Sequence, residues 1–591
     1  MEYSDWIDEL NREHNAHRDY REKARKVEKR YRLEDGNSKY NILWANTQIL
    51  QSALYSNTPK PDVRRRHKEP NPAAKGAAEI LERALEYSID AYDFDGVIDR
   101  SVNNSLVPGL GQVRVNYTPF FSPIETREDL DVIEDEEGKR SYFSGEEEVE
   151  GQEDQSGAFR MVESEEKVFE EIDTSVVPWS RFRWSPAKDW ETVWWLGEEH
   201  FLTEEQVEKT FVLKSEETIP LGYKHDGSDA DKTSEDGKLA KVVEVWDKRH
   251  RQHFGLIEGV QRLLKFKAGD EEAEDDPLNL KGFWPYPEPL ATNVIAGKFI
   301  PMPDYLFYQD QAMEMDELSR RIEALTAELK YRGAHDASLP EVANIVNGGD
   351  GSFKAIPNMA ERFKGDLSNV IATMPLDELK ETIAWLIEAR DQVKQTIFEI
   401  TGISDIVRGA TKASETLGAQ QLKGQFANMR LSTRQKRVQM FVREILRIKA
   451  EIIAEHFDPE TLQMMTGLPV TPEMIQILQS DVLRNFSVDV ETDSTILSDM
   501  AAEQESRVAV VQAVTQLGTA WAPLIAANPG VMDIVKEMSL FLLGAFRSGK
   551  QLEEVFERLS NNTTPDASQV VGAAGQPVAG PGDNVSAFRG Q

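Results

Sequence analysis

Three segments in the second half of the chain place apolar residues at alternating spacings of three and four, which restricts them to long helices that each bury one narrow face. The first stripe consists of Met315, Leu318, Ile322, Leu325 and Leu329. The second consists of Leu376, Leu379, Ile383, Leu386, Val393, Ile397 and Ile400, with Arg390 in its one gap, and the third of Val438, Phe441, Ile445, Ile448 and Ile452. At 1.5 Å per residue the first two helices would be roughly 33 and 38 Å long, which predicts a matched pair.

The segment between the two matched helices lacks a helical period and contains turn residues such as Pro340, Gly348 and Pro357. This pattern predicts a small β-containing module on the tips of two antiparallel helices. After the pair, a loop punctuated by Gly402 and Gly409 returns the chain into the third long helix.

The first half of the chain mixes helical and strand patterns. Residues 1–56 predict two helices, whereas Val113–Tyr117 and Val242–Trp246 are typical of strands. Residues 125–154 hold fourteen acidic and three basic residues, a net charge of −11, which favours a solvated loop or a mobile insertion. We therefore expect an α+β chain that is predominantly helical in its second half, with a tail after residue 561 that is rich in glycine and proline and is expected to be disordered.

Composition excludes several classes of site and of protein. The chain has 591 residues, no cysteine and a net charge of −35. Disulfides, thiolate nucleophiles and cysteine-ligated metals are excluded, and the acidity argues against an ordinary nucleic-acid-binding protein. The acidic opening and the charged residues in the most apolar late stretch predict neither a secretory signal nor a membrane span, hence a protein made in the cytoplasm.

No catalytic or nucleotide-binding motif is apparent, and we expect no cofactor and no metal. Two histidine pairs, His14 with His17 and His250 with His253, lack a third ligand at a recognisable spacing. The stretch 18–32 holds eight basic and three acidic residues, which indicates either a solvated helix face or a docking surface for an acidic partner or for duplex phosphates.

The order of these parts resembles that of the portal, or head-to-tail connector, proteins of tailed bacteriophages, and is closest in character to the portals of short-tailed phages. The likeness covers roughly residues 35–510. The residues that carry it are Phe283–Leu290, Ile300–Tyr305, Asp310–Asp316, Arg320–Gly333, Thr401–Asp405, Arg408–Thr416 and Ala419–Gln421, together with Tyr40–Trp44 and Tyr55–Pro61 near the front, and it is their order that is specific.

The resemblance implies a ring, usually of twelve subunits, at one vertex of the capsid, so that the protein belongs to the virion and acts as a DNA channel rather than as an enzyme. The implied parts are a wing (1–302), two stem helices (303–333 and 375–401), a clip (334–374), a tunnel loop (402–414), a long wing helix (415–457), a crown (458–560) and the tail (561–591). A head-to-tail interface that closes on itself gives such a ring. An acidic lumen would keep duplex DNA from adhering.

The resemblance also implies partners and contact residues. The partners would be further copies of the chain, terminase, the major capsid and scaffolding proteins, the head–tail adaptor and duplex DNA that passes without sequence-specific binding, but no membrane. Arg408 and Lys412 would make transient DNA contacts in the tunnel loop. In the clip, the residues expected to meet terminase or the adaptor are Asn344, Val346, Asn347, Phe353 and Lys354. The alternatives are another phage assembly protein, such as a scaffold or coiled-coil connector, and an acidic hydrolase with two carboxylates of divergent pKa.

Overall fold

A computed structural model of the chain describes residues 1–490, except 37–38, 67–70, 135–139, 145–146, 150–151, 155–156, 215–216, 225–237, 269–270, 330–332, 336–370, 374–375, 404–416 and 481, and it also describes Gln512. In 417–430 and much of 124–165 only the backbone is described. Contacts divide the chain into two units, Met1–Ile496 and Leu497–Gln591, and all elements named below belong to the first.

The described elements form an α+β arrangement, which confirms the predicted class. The helices are α1 Tyr3–Tyr31, α2 Ile42–Leu54, α3 Pro72–Asp90, α4 Phe94–Leu106, α5 Glu204–Thr210, α6 Gln309–Glu328, α7 Asp377–Thr401, α8 Leu417–His456, α9 Pro459–Thr466, α10 Pro472–Gln479 and α11 Val482–Asn485. The strands are β1 Pro61–Arg65, β2 Gln112–Asp129, β3 Asp131–Glu134, β4 Arg140–Ser144, β5 Glu147–Val149, β6 Gln152–Asp154, β7 Gly157–Val177, β8 Phe182–Trp184, β9 Trp195–Leu202, β10 Ala240–Asp247, β11 Gln252–Ile257, β12 Lys267–Ala268, β13 Glu271–Glu272, β14 Gly333–His335, β15 Ile371–Thr373 and β16 Phe486–Val490.

The largest core lies where α8 crosses α3 and α4. The predicted apolar stripe of α8 supplies buried Val438, Phe441, Ile445 and Ile452 to this core. Asn71 caps the start of α3 by accepting a hydrogen bond from the Ala73 amide, and Pro72 occupies the first helical turn, where its missing N–H costs nothing. The sequence pattern thus determines which face of each helix turns inward.

The end of the described chain joins the same core. Strand β16 pairs antiparallel with β1, with Val490 opposite Pro61 and Phe486 opposite Arg65. Helices α9 and α10 pack on α3. Residues 459–490, which the resemblance places in a crown, therefore lie in one compact unit with residues 61–90.

The prediction of a loop over the acidic segment is wrong. Strands β2 and β7 form one antiparallel ribbon from the Gln112–Val177 pair to the Asp129–Phe159 pair, with an irregularity at Phe120. Beyond it, β3, β4 and β5 form a second small sheet. Strand pairing satisfies the backbone hydrogen bonds whatever the side-chain charge, so local acidity did not prevent a sheet.

A four-stranded sheet in the order β11–β10–β9–β8 packs against α1. Trp6 of α1 is buried against Trp195 and Phe254, with ring centroids 5.9 and 5.2 Å apart. Trp184 and Trp195 are fully buried and therefore serve as packing residues. Among the described residues, no helix combines the length and the apolar character that a membrane span requires.

Candidate functional site

Helices α6 and α7 pack against each other as a helical hairpin. At its tip β14 and β15 pair antiparallel, with His335 opposite Ile371. At its base, residues from the start of α6 and the end of α7 share one core, including fully buried Met315 and Ile397. The two helices are therefore antiparallel, as the matched apolar stripes predict.

The base of the hairpin is anchored to the N-terminal helices. Its core also contains Val27 of α1, Ile42 of α2 and Tyr305 of the short 3-10 turn that precedes α6. Helix α7 ends at Gly402, which adopts a left-handed conformation with φ of 72° and donates its N–H to the Phe398 carbonyl. Glycine suits this position because it has no Cβ to clash.

The apolar stripe of the hairpin is only partly covered in a single chain. Met315, Leu318, Leu386 and Ile397 are buried, and all but Leu386 lie near the base. Of the other stripe residues, Ile400 is exposed, and the rest are half-buried, namely Ile322, Leu325, Leu329, Leu376, Leu379, Ile383, Arg390 and Val393. Arg390, in the gap of the stripe, lies 5.9 Å from the centroid of the Tyr40 ring.

Large apolar side chains also face solvent on and beside the hairpin. Trp385 is 64% exposed and Met313 is 53% exposed, whereas Leu386, next to Trp385, is 3% exposed. Further exposed apolar residues are Phe307, Ile387, Ile400 and Met440. Exposed apolar area of this kind is a candidate surface for contact with another chain.

The predicted contact residues of the clip and tunnel loop lie outside the described residues. This applies to Asn344, Val346, Asn347, Phe353 and Lys354, and to Arg408 and Lys412. Of residues 334–374, the structure describes 334–335 and 371–373, where β14 and β15 pair.

A second cluster, buried beneath the four-stranded sheet, was missed by sequence reasoning. Glu244 of β10 is surrounded by donors: Arg114 Nη1 lies 2.6 Å and His200 Nε2 3.0 Å from its Oε2. His253 Nε2 and Trp246 Nε1 lie 2.7 and 3.0 Å from its Oε1. The sequence did contain one signal for this cluster, the charged residue Glu244 within the apolar run Val242–Trp246. A carboxylate in a buried strand must be paired with donors or cations.

The charges of this cluster compensate one another. Burial alone would raise the pKa of Glu244, but Arg114 and the two histidines hold it well below its ordinary value. Burial raises the pKa of neighbouring Glu198, whose Oε2 accepts a hydrogen bond of 2.9 Å from Tyr286 Oη. Divergent carboxylates of this kind are what a hydrolase would need.

Glu198, His200 and Glu244 also bring one potential metal-ligand atom each to within 4.8 Å of one another. However, the Glu244 oxygen nearest His200 already accepts a hydrogen bond from Arg114, and a guanidinium there repels a cation. Glu198 and Glu244 are buried, and none of the three residues lines the surface cavity at the edge of the sheet. The donor set therefore fits an internal ion-pair network rather than a metal or substrate site.

The two histidine pairs separate in the structure. His253 belongs to the Glu244 cluster, whereas His250 Nδ1 lies 2.6 Å from Asp247 Oδ2. His17 is buried with its Nδ1 2.9 Å from Glu13 Oε1, and His14 lines a surface cavity. Neither pair forms a joint ligand set.

No protein-family model matches this chain, and no curated protein sequence matches it either. The function of this chain is therefore inferred from its residues and their arrangement.

Proposed function

We propose that this chain is the subunit of a bacteriophage portal ring, through which duplex DNA enters the capsid during packaging and leaves it at ejection. The observation that carries the proposal is the α6–α7 hairpin, whose apolar stripe is only partly buried in a single chain and whose large apolar side chains Met313, Trp385 and Ile400 are exposed. In a ring, neighbouring hairpins would cover these side chains around a bore.

The order of elements supports this assignment. An α+β body of residues 1–302 precedes α6, and α8 follows α7 and packs back into the core of that body. Helices α6 and α7 contain 20 and 25 residues. At 1.5 Å per residue they are about 30 and 38 Å long, a near-matched pair of stem helices.

Within this proposal the clip at 334–374 docks terminase and later the head–tail adaptor, and the loop at 402–414 faces the passing DNA. The net charge of −35 per chain favours a channel wall to which DNA does not adhere. The few basic groups, Arg408 and Lys412 among them, would then make weak and transient contacts.

Two alternatives predict different molecules. A scaffold or coiled-coil connector would share the helical stripes but would be elongated and would lack a bore. A hydrolase would require an accessible pair of divergent carboxylates. Glu198 and Glu244 are buried, Glu244 accepts hydrogen bonds on both oxygens, and Glu198 accepts one from Tyr286.

The decisive experiment is the native mass of the purified full chain, with negative-stain images of the same sample. Twelve copies of 66.8 kDa would give about 800 kDa, seen as rings with a central hole wide enough for duplex DNA. Elongated particles without a hole would favour the scaffold. A compact monomer with an accessible catalytic pocket would overturn the proposal.

A further inference from the structure

A cavity of about 370 Å³ lies between α1 and the edge of the four-stranded sheet. Four basic side chains line it: Arg25 from α1, Arg181 and Arg183 from the segment around β8, and Lys241 from β10. Glu199 is the one carboxylate in its wall. The charge of the cavity wall is therefore opposite in sign to the net charge of the chain, which is −35.

The carboxylate does not neutralise the cavity. Arg183 Nη2 lies 2.9 Å from Glu199 Oε2, and Lys241 Nζ lies 2.8 Å from Glu199 Oε1, so one anion is shared by two cations. Burial opposes ionisation of Glu199, but these two cations lower its pKa below the ordinary value. The net formal charge of the wall is therefore positive.

Buried donors beside the cavity lack acceptors. Arg183 Nη1 and two nitrogens of Arg21, Nε and Nη1, have no hydrogen-bond partner among the described atoms. Arg21 is buried, and burial lowers the pKa of its guanidinium. Glu13 raises this pKa, whereas the nearby positive charge of Arg183 lowers it further. Unpaired buried guanidinium donors are costly, so an incoming anion would be stabilised here.

The chain itself carries a matching anionic element, the outer part of the β2–β7 ribbon with strands β3–β6, whose described strand positions between 125 and 154 include nine acidic residues. Its inner end packs on α8 and α4, whereas Phe121, Val132 and Met161 farther out are exposed. Exposed apolar side chains beside dense charge indicate a surface that another protein covers.

The ribbon of one chain is held away from that chain's own cavity. Ser180, Arg181 and Arg183 follow directly on β7, so the cavity lies at the root of the ribbon. Strand β2 has 18 residues. At about 3.3 Å per residue it spans roughly 60 Å, and none of its residues lines the cavity.

We propose that the acidic outer ribbon of one copy docks in the basic cavity of a neighbouring copy. This inference rests on the proposed function only in requiring copies side by side. It also resolves the two interpretations of the basic stretch 18–32: Arg30 and Arg21 are buried in ion pairs, whereas Arg25 faces an acidic partner.

The absence of cysteine allows a direct test in the full chain. One preparation carries Asn11→Cys at the cavity wall with an affinity tag, and the other carries Asp131→Cys in β3. The two are mixed with a short bismaleimide. We expect a cross-linked dimer containing one chain of each kind, because only a second copy brings these positions together.

The matched control replaces Asn11→Cys by Ala16→Cys, an exposed residue of α1 that does not line the cavity. We expect its cross-linking to be lower by about fivefold or more. Adding Arg181→Gln with Lys241→Gln to the Asn11→Cys chain should lower cross-linking similarly, as should about 1 M salt, where the Debye length falls to about 3 Å.

The outcomes separate the two proposals. Rings of the expected mass without preferential Asn11–Asp131 cross-linking would overturn the ribbon docking and leave the portal proposal standing. Preferential cross-linking in assemblies without a bore would support the docking and contradict the portal function. Binding of a duplex oligonucleotide that is lost with Arg181→Gln and Lys241→Gln, without cross-linking, would assign the cavity to nucleic acid and overturn the docking.

Discussion

Arg30 in the last turn of α1 and Asp316 in α6 form a buried ion pair across 286 positions of sequence. Asp316 Oδ1 also accepts hydrogen bonds of 2.8 Å from the Lys39 and Tyr40 amides, and Arg30 Nη1 lies 2.9 Å from Asp35 Oδ2. One carboxylate thus fixes the α6–α7 hairpin to the end of the first helix and to the connection that follows it.

The replacement Asp316→Ala should destabilise the base of the α6–α7 hairpin. It leaves the buried guanidinium of Arg30 with one partner and two backbone amides without an acceptor, so we expect a loss of about 3 to 5 kcal/mol in the free energy of unfolding. Denaturant titration measures the loss in the free energy of unfolding, and hydrogen exchange of α6 measures the local loss of protection. Asp310→Ala, at an exposed position of the same helix, should change stability by less than about 0.5 kcal/mol. Equal losses for the two variants would contradict the anchoring role.

Two adjacent residues of α7 separate folding from assembly. Leu386→Ala removes a buried side chain and should cost about 2 to 5 kcal/mol of stability. Trp385→Ala removes an exposed one and should leave the thermal midpoint of the monomer nearly unchanged, while lowering the fraction of chain in large assemblies. Native mass spectrometry and thermal melting of both variants check this. If Trp385→Ala assembled normally, the exposed face of the hairpin would not be an interface.

The Glu244 cluster should be essential for the four-stranded sheet. Glu244→Gln removes the buried negative charge that Arg114 and the histidines share and leaves Arg114 with Glu198 at 3.8 Å as its nearest carboxylate. Breaking a pair in which one partner is buried should cost up to about 3 kcal/mol. The exposed pair of Glu205 with Lys209 is the control, because solvent screens this pair and Glu205→Gln should leave stability nearly unchanged. The fluorescence of the buried tryptophans during unfolding reports both. A loss below about 1 kcal/mol for Glu244→Gln would show that the network is dispensable.

Lys449 of α8 makes stability depend on pH. Its side chain is completely buried, with Nζ 3.3 Å from the Ser88 and Ile172 carbonyls, and burial lowers its pKa from 10.5 to about 7. Between those two values the unfolded chain binds more protons, so the contribution of Lys449 to stability rises with pH from about 7 to 10.5 and is flat below 7.

Lys449→Met should therefore reduce the rise in thermal midpoint between pH 7 and 10, and its stability relative to the unaltered chain should be greatest below pH 7. Lys436→Met, at an exposed position of the same helix, should retain the original slope. Melting curves at pH 6, 7.5 and 9 distinguish the two. An unchanged slope in Lys449→Met would mean that the lysine is not held neutral by burial.

The clip should be separable from ring formation. Residues 344–354 lie in sequence between β14 and β15, which pair at the tip of the α6–α7 hairpin. If the proposed portal function holds, deleting them should give rings of normal mass that no longer bind terminase. Pull-down of terminase by purified rings measures this. Normal docking by the shortened chain would remove the clip assignment.

Sequence reasoning predicted the helices better than the sheets, and the reason is physical. The stripes through Met315, Leu386 and Ile445 repeat at helical spacing, and α6, α7 and α8 appear where those stripes lie. The acidic ribbon was missed because its strands are stabilised by pairing with each other across many residues, which no local charge pattern reveals. The Glu244 cluster was missed because Arg114, His200 and Tyr286 come from distant segments that only the tertiary fold brings together.

The β1–β16 pairing has a consequence for synthesis on the ribosome. Arg66, directly after β1, donates from Nε to the carbonyl of Phe486, 420 positions later in the chain. At about 5 to 20 residues per second, β1 would wait roughly 20 to 80 s for its partner strand to be made. Until then one edge of the α3 core stays open, so Met1–Ile496 completes its folding only after nearly the whole unit has been translated, and premature termination would yield chains with an unpaired strand prone to aggregation.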